Sequence, residues 1–182
     1  GGVALNCVAN GKILREKIFE NIWIQPAAGD AGGSLGAALI YWYQELENKR
    51  DQIKDNMNGS YLGPKYSDEE IKSELEKNNA NFKKYSEKEV LKLVSNYLSK
   101  NKAVGWFQGR MEYGPRALGN RSILANAKSR DMQKDLNLKV KFRESFRPFA
   151  PAILKEKVNE YFELDKDSPY MLLVSNIKEK VK

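Results

Sequence analysis

The 182-residue sequence contains no histidine and a single cysteine, Cys7. The first absence removes an imidazole general base and any histidine-containing metal site made by this chain alone. The second removes an intrachain disulfide. No apolar run approaches the roughly 20 residues needed to cross a bilayer, so no membrane partner is expected. The opening Gly1-Gly2-Val3-Ala4-Leu5 offers neither an initiator methionine nor the basic n-region of a signal peptide. The expectation is a soluble, cytoplasmic piece of a longer enzyme, and the missing histidines point the same way. What is present is globular in composition: 41% hydrophobic and 30% charged residues, which separates the chain from disordered sequences.

The formal net charge is +7, and its position is more informative than its size. Residues 102–147 hold eleven basic side chains against four acidic ones, Glu112, Asp131, Asp135 and Glu144, so the whole surplus lies there. A basic focus of this kind attracts phosphate ligands or nucleic acid.

Residues 1–48 read as one block. Val3-Ala4-Leu5 and Ile22-Trp23-Ile24 are short apolar runs that predict strands. A helix is expected between Asp30 and Leu46, with Asp30 as its N-cap and Gly32, Gly33 and Gly36 keeping its first turns bare. Residues 49–65 are polar, carry Asn58-Gly59-Ser60 and Gly63-Pro64, and predict a linker between domains. In the second block, 66–182, Ser67 with Glu70 and Ser86 with Glu89 form capping boxes that open two helices. Residues 103–107 predict a buried strand, followed by a loop as far as Ser122. Ser129 is expected to cap a short helix containing Met132 and Leu136. Strands are expected at 149–154 and 170–174, with a helix over 155–162 between them. The fold class is α/β in the broad sense, a mixed α+β chain.

Three stretches carry chemistry. In residues 108–122, Arg110, Arg116 and Arg121 alternate with Gly109, Gly114 and Gly119. Glycine lets a backbone approach a ligand, and the planar guanidinium fork matches phosphate or carboxylate oxygens. A phosphate cradle follows, against a basic surface loop paired to nearby acids. Residues 139–149 alternate Lys139, Lys141 and Arg143 with Val140 and Phe142. If extended, they form either a functional edge or a half-buried strand with solvated lysines. Basic residues with aromatics also suit nucleic acid, but Phe142, Phe146 and Phe149 are expected in the core. The third stretch pairs Gly1-Gly2 and Asn6 with the glycine-rich segment after Asp30, a combination able to hold a nucleotide phosphate. Asp30 is by itself an ordinary N-cap, and Gly1-Gly2 an ordinary appended dipeptide.

The strings GGVALN, AAGDAGGSLGAAL, GWFQGRMEYGPRALGNRSILA and VKFRESFRPFAPAIL occur in this order. The series resembles the nodulation and antibiotic-tailoring carbamoyltransferases, over most of the chain from Gly1 to about Met171. The resemblance implies that residues 1–48 are the C-terminal part of an actin-like ATPase-fold domain and 66–182 an incomplete YrdC-like domain. It implies that Gly1, Gly2 and Asn6 border the nucleotide, together with Gly109, Gly114 and Ser122. It implies that Asp30 is a metal ligand, and that Arg110, Arg116, Arg121, Lys141, Arg143 and Arg147 form the YrdC-like active site. ATP and a divalent metal of iron or magnesium type are the implied cofactors. Carbamoyl phosphate and a hydroxylated small molecule are the implied partners, along with the remaining parts of the same polypeptide. Two departures stand out. The family's other metal ligands are histidines upstream of the position of Gly1, and the family continues beyond the region of Ser168 to Met171.

The implied chemistry makes carbamoyl-adenylate from carbamoyl phosphate and ATP and then transfers the carbamoyl group to a hydroxyl. Both leaving groups, pyrophosphate and AMP, are anions that fixed guanidinium groups stabilise. The rivals are an RNA-binding or tRNA-modification YrdC-like module and a catalytically inactive fragment. Clustering of the charge with glycines favours a compact ligand over nucleic acid.

Overall fold

The computed structural model describes residues 1–50 and 55–181. Its α-helices are α1 (Cys7–Arg15), α2 (Ala31–Ile40), α3 (Asp68–Lys77), α4 (Glu87–Ser99), α5 (Met132–Asp135) and α6 (Val158–Tyr161). Strands β1 (Val104–Phe107) and β2 (Arg121–Leu124) pair antiparallel, with Val104 opposite Leu124 and Phe107 opposite Arg121. Single π-turns extend α2 over Tyr41–Glu45 and α5 over Leu136–Val140. The fold is helical with a small antiparallel sheet, consistent with the expected class. Among the described residues, no helix is long and apolar enough to cross a membrane.

Local sequence explains α3 and α4. Ser67 Oγ accepts from the Glu70 amide at 3.2 Å while Glu70 Oε2 accepts from the Ser67 amide at 2.7 Å. Ser86 and Glu89 repeat the exchange. Each box satisfies two donors that a helix start would otherwise leave open. The Ser67 amide and then its hydroxyl hold the Glu70 carboxyl below the usual carboxylate value, and the Ser86 hydroxyl, donating to Glu89 Oε2 at 2.6 Å, and then the Ser86 amide do the same for Glu89.

The chain divides into two compact units. Unit 1 comprises Gly1–Gly63, Met111–Leu118 and Ala152–Lys182, and unit 2 comprises Pro64–Arg110 and Gly119–Pro151. In unit 1, Ala27, Met57 and Leu172 are buried together with the polar Asn10, Ser60 and Glu112. Asn10 Nδ2 donates to the carbonyls of Ala4 at 2.9 Å and Leu172 at 3.1 Å, which fastens the C-terminal segment to α1. Gly11 permits that approach: a Cβ there would lie 2.3 Å from the Val174 carbonyl oxygen. In unit 2, the core residues Met132 and Leu136 are buried beside Asn137, which is 0% exposed. Asn137 Nδ2 donates to the Ser145 and Arg147 carbonyls at 3.1 and 2.9 Å, and its Oδ1 accepts from Arg143 Nε at 2.6 Å. A buried amide must find such partners, so residues 143–147 fold around it.

Several expectations are corrected. Residues 2–5 form a 3-10 turn, in which the Ala4 amide donates to the Gly1 carbonyl. Residues 22–24, 149–154 and 170–174 lie in no strand. A short apolar run specifies burial but not a ladder, and the Val174 amide is satisfied by the Cys7 carbonyl instead. The loop expected up to Ser122 ends earlier, because Arg121 and Ser122 belong to β2. Residues 136–140 are helical, so the alternation read over 139–149 does not apply. Phe142 and Phe146 are 84% and 76% exposed rather than core, and Phe149 is half-buried. The position expected for Ser129 as a cap is taken by Asp131, with no side-chain cap bond. Asp30 also makes no cap bond. Its backbone is already in the right-handed helical region, and the Gly32 and Gly33 amides donate to the Gly29 and Asp30 carbonyls. An N-cap side chain needs extended backbone to fold back on those amides. Of the expected linker 49–65, residues 51–54 lie outside the described residues, while Met57 and Ser60 are buried in unit 1.

Candidate functional site

The turn before α2 is seated tightly. Gln25 Oε1 accepts from the Ala27 amide at 3.1 Å, and Ala27 is 0% exposed. A Cβ on Gly32 would lie 1.9 Å from the Ala27 carbonyl oxygen, so only glycine lets α2 start this close to the turn. In front of this arrangement opens a cleft of about 580 Å³, lined by Gly1, Ala4, Trp23, Gln25, Asp30 and Gly33 among others. No atom lies within 4 Å of a Cβ position at Gly1 or Gly33, which leaves their backbone open to a ligand. Two of the residues named from sequence, Gly1 and Asp30, are thus brought to one cleft. Gly2 belongs to the same 3-10 turn as Ala4, while Asn6 caps α1, accepting from the Ala9 amide at 3.1 Å.

The arginine-rich string does not act as one block. Met111–Leu118 belongs to unit 1, whereas Arg110 and Gly119 belong to unit 2. In unit 1, Arg116 Nη2 donates to the Leu5 carbonyl at 3.1 Å, and its Nε is buried with no hydrogen-bond partner among the described residues. Gly114 adopts φ +113°, and a Cβ there would lie 3.1 Å from Ala27 Cβ. The Tyr113 amide donates to the Ser60 carbonyl at 2.6 Å, and its hydroxyl reaches the Ala31 carbonyl and Ser34 Oγ. The buried Glu112 carboxylate accepts from the Leu118 amide at 2.7 Å, closing the segment on itself.

In unit 2, the remaining arginines are engaged mainly by the chain itself. Arg121 donates to the carbonyls of Gln108, Asn120 and Gly109 at 2.7, 2.8 and 3.2 Å, and its guanidinium lies 3.4 Å above the Phe107 ring centroid. Ser122 Oγ accepts from the Gly119 amide at 3.0 Å, and Gly109 adopts φ +51° beside Asn120. Asn120 Nδ2 donates to the Arg110 carbonyl at 2.8 Å, while the Arg110 side chain is exposed. Arg143 is held by Asn137 and lies 5.0 Å from the Phe149 ring centroid. Arg147 pairs with Glu144 at 3.0 Å, and Lys141 is exposed just past the π-turn. The Glu144 carboxyl is held below its ordinary value by its own main-chain N–H and then by Arg147.

These donors suit an anionic oxygen: a buried guanidinium nitrogen without a partner in unit 1 and exposed cations in unit 2. They do not suit a metal. Among the described residues, no group of three or more cysteine, aspartate or glutamate side chains is placed to hold one. Asp30 is a single carboxylate and would need ligands from elsewhere.

Sequence reasoning missed Tyr113, Ser34 and Ser60. Their only signal was that Tyr113 stands inside the arginine-rich string, where the arginines drew the attention.

A family model described as the carbamoyltransferase N-terminus matches residues 1–39, and one described as the carbamoyltransferase C-terminus matches residues 95–182. The chain belongs to the carbamoyltransferase family. It is 56% identical over 185 residues to an uncharacterized protein of Synechocystis sp., covering 100% of this chain and 30% of that protein. It is 40% identical over 184 residues to nodulation protein NolO of Bradyrhizobium diazoefficiens, covering 98% of this chain and 33% of that protein. It is 32% identical over 183 residues to the 3'-hydroxymethylcephem-O-carbamoyltransferase of Streptomyces clavuligerus, covering 98% of this chain and 32% of that enzyme. The chain therefore spans about a third of the length of these relatives. The N-terminal match contains the cleft residues Gly1 and Asp30, and the C-terminal match contains all six basic residues singled out from sequence.

Proposed function

We propose that the full-length polypeptide is an ATP-dependent O-carbamoyltransferase, to which this chain contributes part of a nucleotide cleft and a set of phosphate-binding cations. The observation that carries the reading is the cleft of unit 1. There, in a carbamoyltransferase-family chain, the Gly1 turn meets the glycine-rich start of α2 beside Asp30. In this reading residues 1–48 close an actin-like ATPase-fold domain and 66–182 begin a YrdC-like one. Water cleaves carbamoyl phosphate to carbamate and phosphate; a carbamate oxygen then attacks the α-phosphorus of ATP, and pyrophosphate leaves. The acceptor hydroxyl then attacks the carbamoyl carbon of the adenylate, loses its proton, and AMP leaves.

The chain's own residues act on charge and position. Gly1, Gly2 and Gly33 admit the nucleotide close to the backbone. In unit 2, Arg110, Lys141 and Arg147 offer exposed cations to a phosphate group, where positive charge favours a developing anion. Arg116, Arg121 and Arg143 are held by neighbouring oxygens, so they supply fixed positive charge with little reorganisation. Asn6 keeps α1 and the preceding turn in place, and Gly109, Gly114 and Ser122 shape the string that carries the arginines. Asp30 would contribute one oxygen to a divalent metal completed by residues outside this chain. The acceptor is a hydroxylated small molecule and the compartment the cytoplasm.

The test is carbamoyl phosphate-dependent release of pyrophosphate from ATP by the full-length protein, followed by acceptor-dependent release of AMP. Pyrophosphate release that ignores carbamoyl phosphate would refute the reading.

A second reading rests on one observation: Phe142 and Phe146 are exposed, and Lys139, Lys141 and Arg147 neighbour them in sequence. Rings and cations together suit single-stranded RNA. Binding that weakens steeply with salt, as several phosphate contacts require, would favour that module over the carbamoyltransferase site.

A further inference from the structure

Within unit 1, three of the contacts that fasten the segment Met111–Leu118 lie in or next to the lining of the cleft. The Tyr113 hydroxyl donates to the Ala31 carbonyl and sits 3.0 Å from Ser34 Oγ, itself 3.0 Å from the same carbonyl. Both partners belong to the first turn of α2, next to the cleft residues Asp30, Gly32 and Gly33. Gly114 lies against Ala27, and Ala27 in turn lies against Gly32. Two glycines 82 positions apart thus close on one alanine from two directions, neither leaving room for a Cβ without displacement. Arg116 then donates to Leu5, next to Ala4 in the turn that forms another part of the lining.

We infer that Tyr113 is a positioning residue for the cleft: its hydroxyl holds the first turn of α2 and, through it, the wall formed by residues 29–33. The geometry favours this over simple packing. The Tyr113 side chain is not among the cleft-lining residues, so it acts on the cleft through α2. Its own backbone is anchored, with its amide bonded to the fully buried Ser60. The hydroxyl is therefore presented from a fixed base. The first turn of α2 also lacks a capping side chain, since Asp30 makes no cap bond. The tyrosine hydroxyl, arriving from 82 residues away, ties a turn whose N-cap residue makes no side-chain bond.

The chemistry of the bond is simple. The hydroxyl has one proton, which goes to the Ala31 carbonyl, and the Ser34 proton goes to that carbonyl or to the tyrosine oxygen. Tyr113→Phe removes this link and keeps the ring. One lost hydrogen bond corresponds to roughly a tenfold change in an equilibrium. The amides of residues 31–35 should therefore exchange hydrogen about tenfold faster, while those of α1 are unchanged.

A second arm rests on the nucleotide reading of the cleft. In the full-length protein, Tyr113→Phe should raise the KM for ATP about tenfold and leave kcat within about twofold. A merely structural role would instead lower kcat and the melting temperature together at unchanged KM. Ser34→Ala removes another corner of the triangle and should speed exchange at the same amides by a smaller factor. The two readings separate cleanly. Absence of ATP turnover in the wild type would defeat the proposed function and leave the exchange result standing. Unchanged exchange at residues 31–35 in both variants would overturn the role of Tyr113 whatever the enzyme does. So would faster exchange accompanied by the structural pattern of kinetics.

Discussion

Gly32 and Gly36 lie four residues apart on α2 and meet opposite surroundings. A Cβ on Gly32 would sit 1.9 Å from the Ala27 carbonyl oxygen and 3.0 Å from its carbon, while at Gly36 nothing lies within 4 Å. Helical preference alone favours alanine over glycine by about 0.8–1.0 kcal/mol at either place. Gly36→Ala should therefore stabilise the protein by about that amount. At Gly32 the obstacle is backbone, so the helix itself must retreat by about an ångström to restore ordinary separation, which is overpacking with a typical cost of about 1–3 kcal/mol. Ala27 is fully buried and Gly114 presses on it from another side, so the turn has little room to yield. After subtracting the gain in propensity, Gly32→Ala should destabilise by up to about 2 kcal/mol. The shared propensity gain cancels, so the two variants should differ by the overpacking cost of about 1–3 kcal/mol, with Gly32→Ala the less stable. Urea unfolding of both variants beside the wild type, followed by circular dichroism, measures the difference. If Gly32→Ala is as stabilising as Gly36→Ala, the close seating of α2 on Ala27 is wrong, and the shape of the cleft with it.

Further outcomes are expected. Asp30→Ala should change stability by less than about 0.5 kcal/mol, because Asp30 makes no cap bond. Ser86→Ala, which breaks a capping box, should cost about 1 kcal/mol in the same urea unfolding. If Asp30 is a metal ligand in the full-length protein, Asp30→Asn should lower its metal content. Arg121→Lys keeps the charge but cannot span the Gln108, Asn120 and Gly109 carbonyls, so it should lower stability by about 1–2 kcal/mol as well as activity. Lost activity at an unchanged melting point would show that the arginine serves the ligand rather than the hairpin. Burial, and then the hydrogen bond to Asp55, push the Tyr170 hydroxyl up from 10.0 to about 12. The unfolded chain therefore loses this proton first as pH rises, and stability should fall between about pH 10 and pH 12. Tyr170→Phe should flatten that part of the pH–stability curve, and an unaltered slope would contradict the assignment.

Features that rest on neighbours along the chain were legible in the residues alone. The capping boxes of α3 and α4 need only a serine and a glutamate three residues apart, and both formed as read. β1 followed from its apolar run, although it is half-exposed rather than buried, with Phe107 58% exposed, and the order of the glycine- and arginine-rich strings was enough to indicate the family. Tertiary structure decided everything that depends on a distant partner. Residues 3–5 and 22–24 have the apolar character of strands, yet a strand exists only where another strand offers a ladder; without one, Val3 and Trp23 stay exposed. Phe142 and Phe146 have core-like side chains, but Asn137, buried and demanding hydrogen bonds, folds the surrounding chain so that both rings face out. The arginine string shows the division most clearly. Its composition announced affinity for anions, and only the fold assigned Arg116 to unit 1 and Arg110 and Arg121 to unit 2, and tied Tyr113 to a helix start 82 residues earlier. Charge is a property of composition and can be read at once. Which oxygen each guanidinium or hydroxyl meets depends on long-range packing, and no local pattern in the string records it.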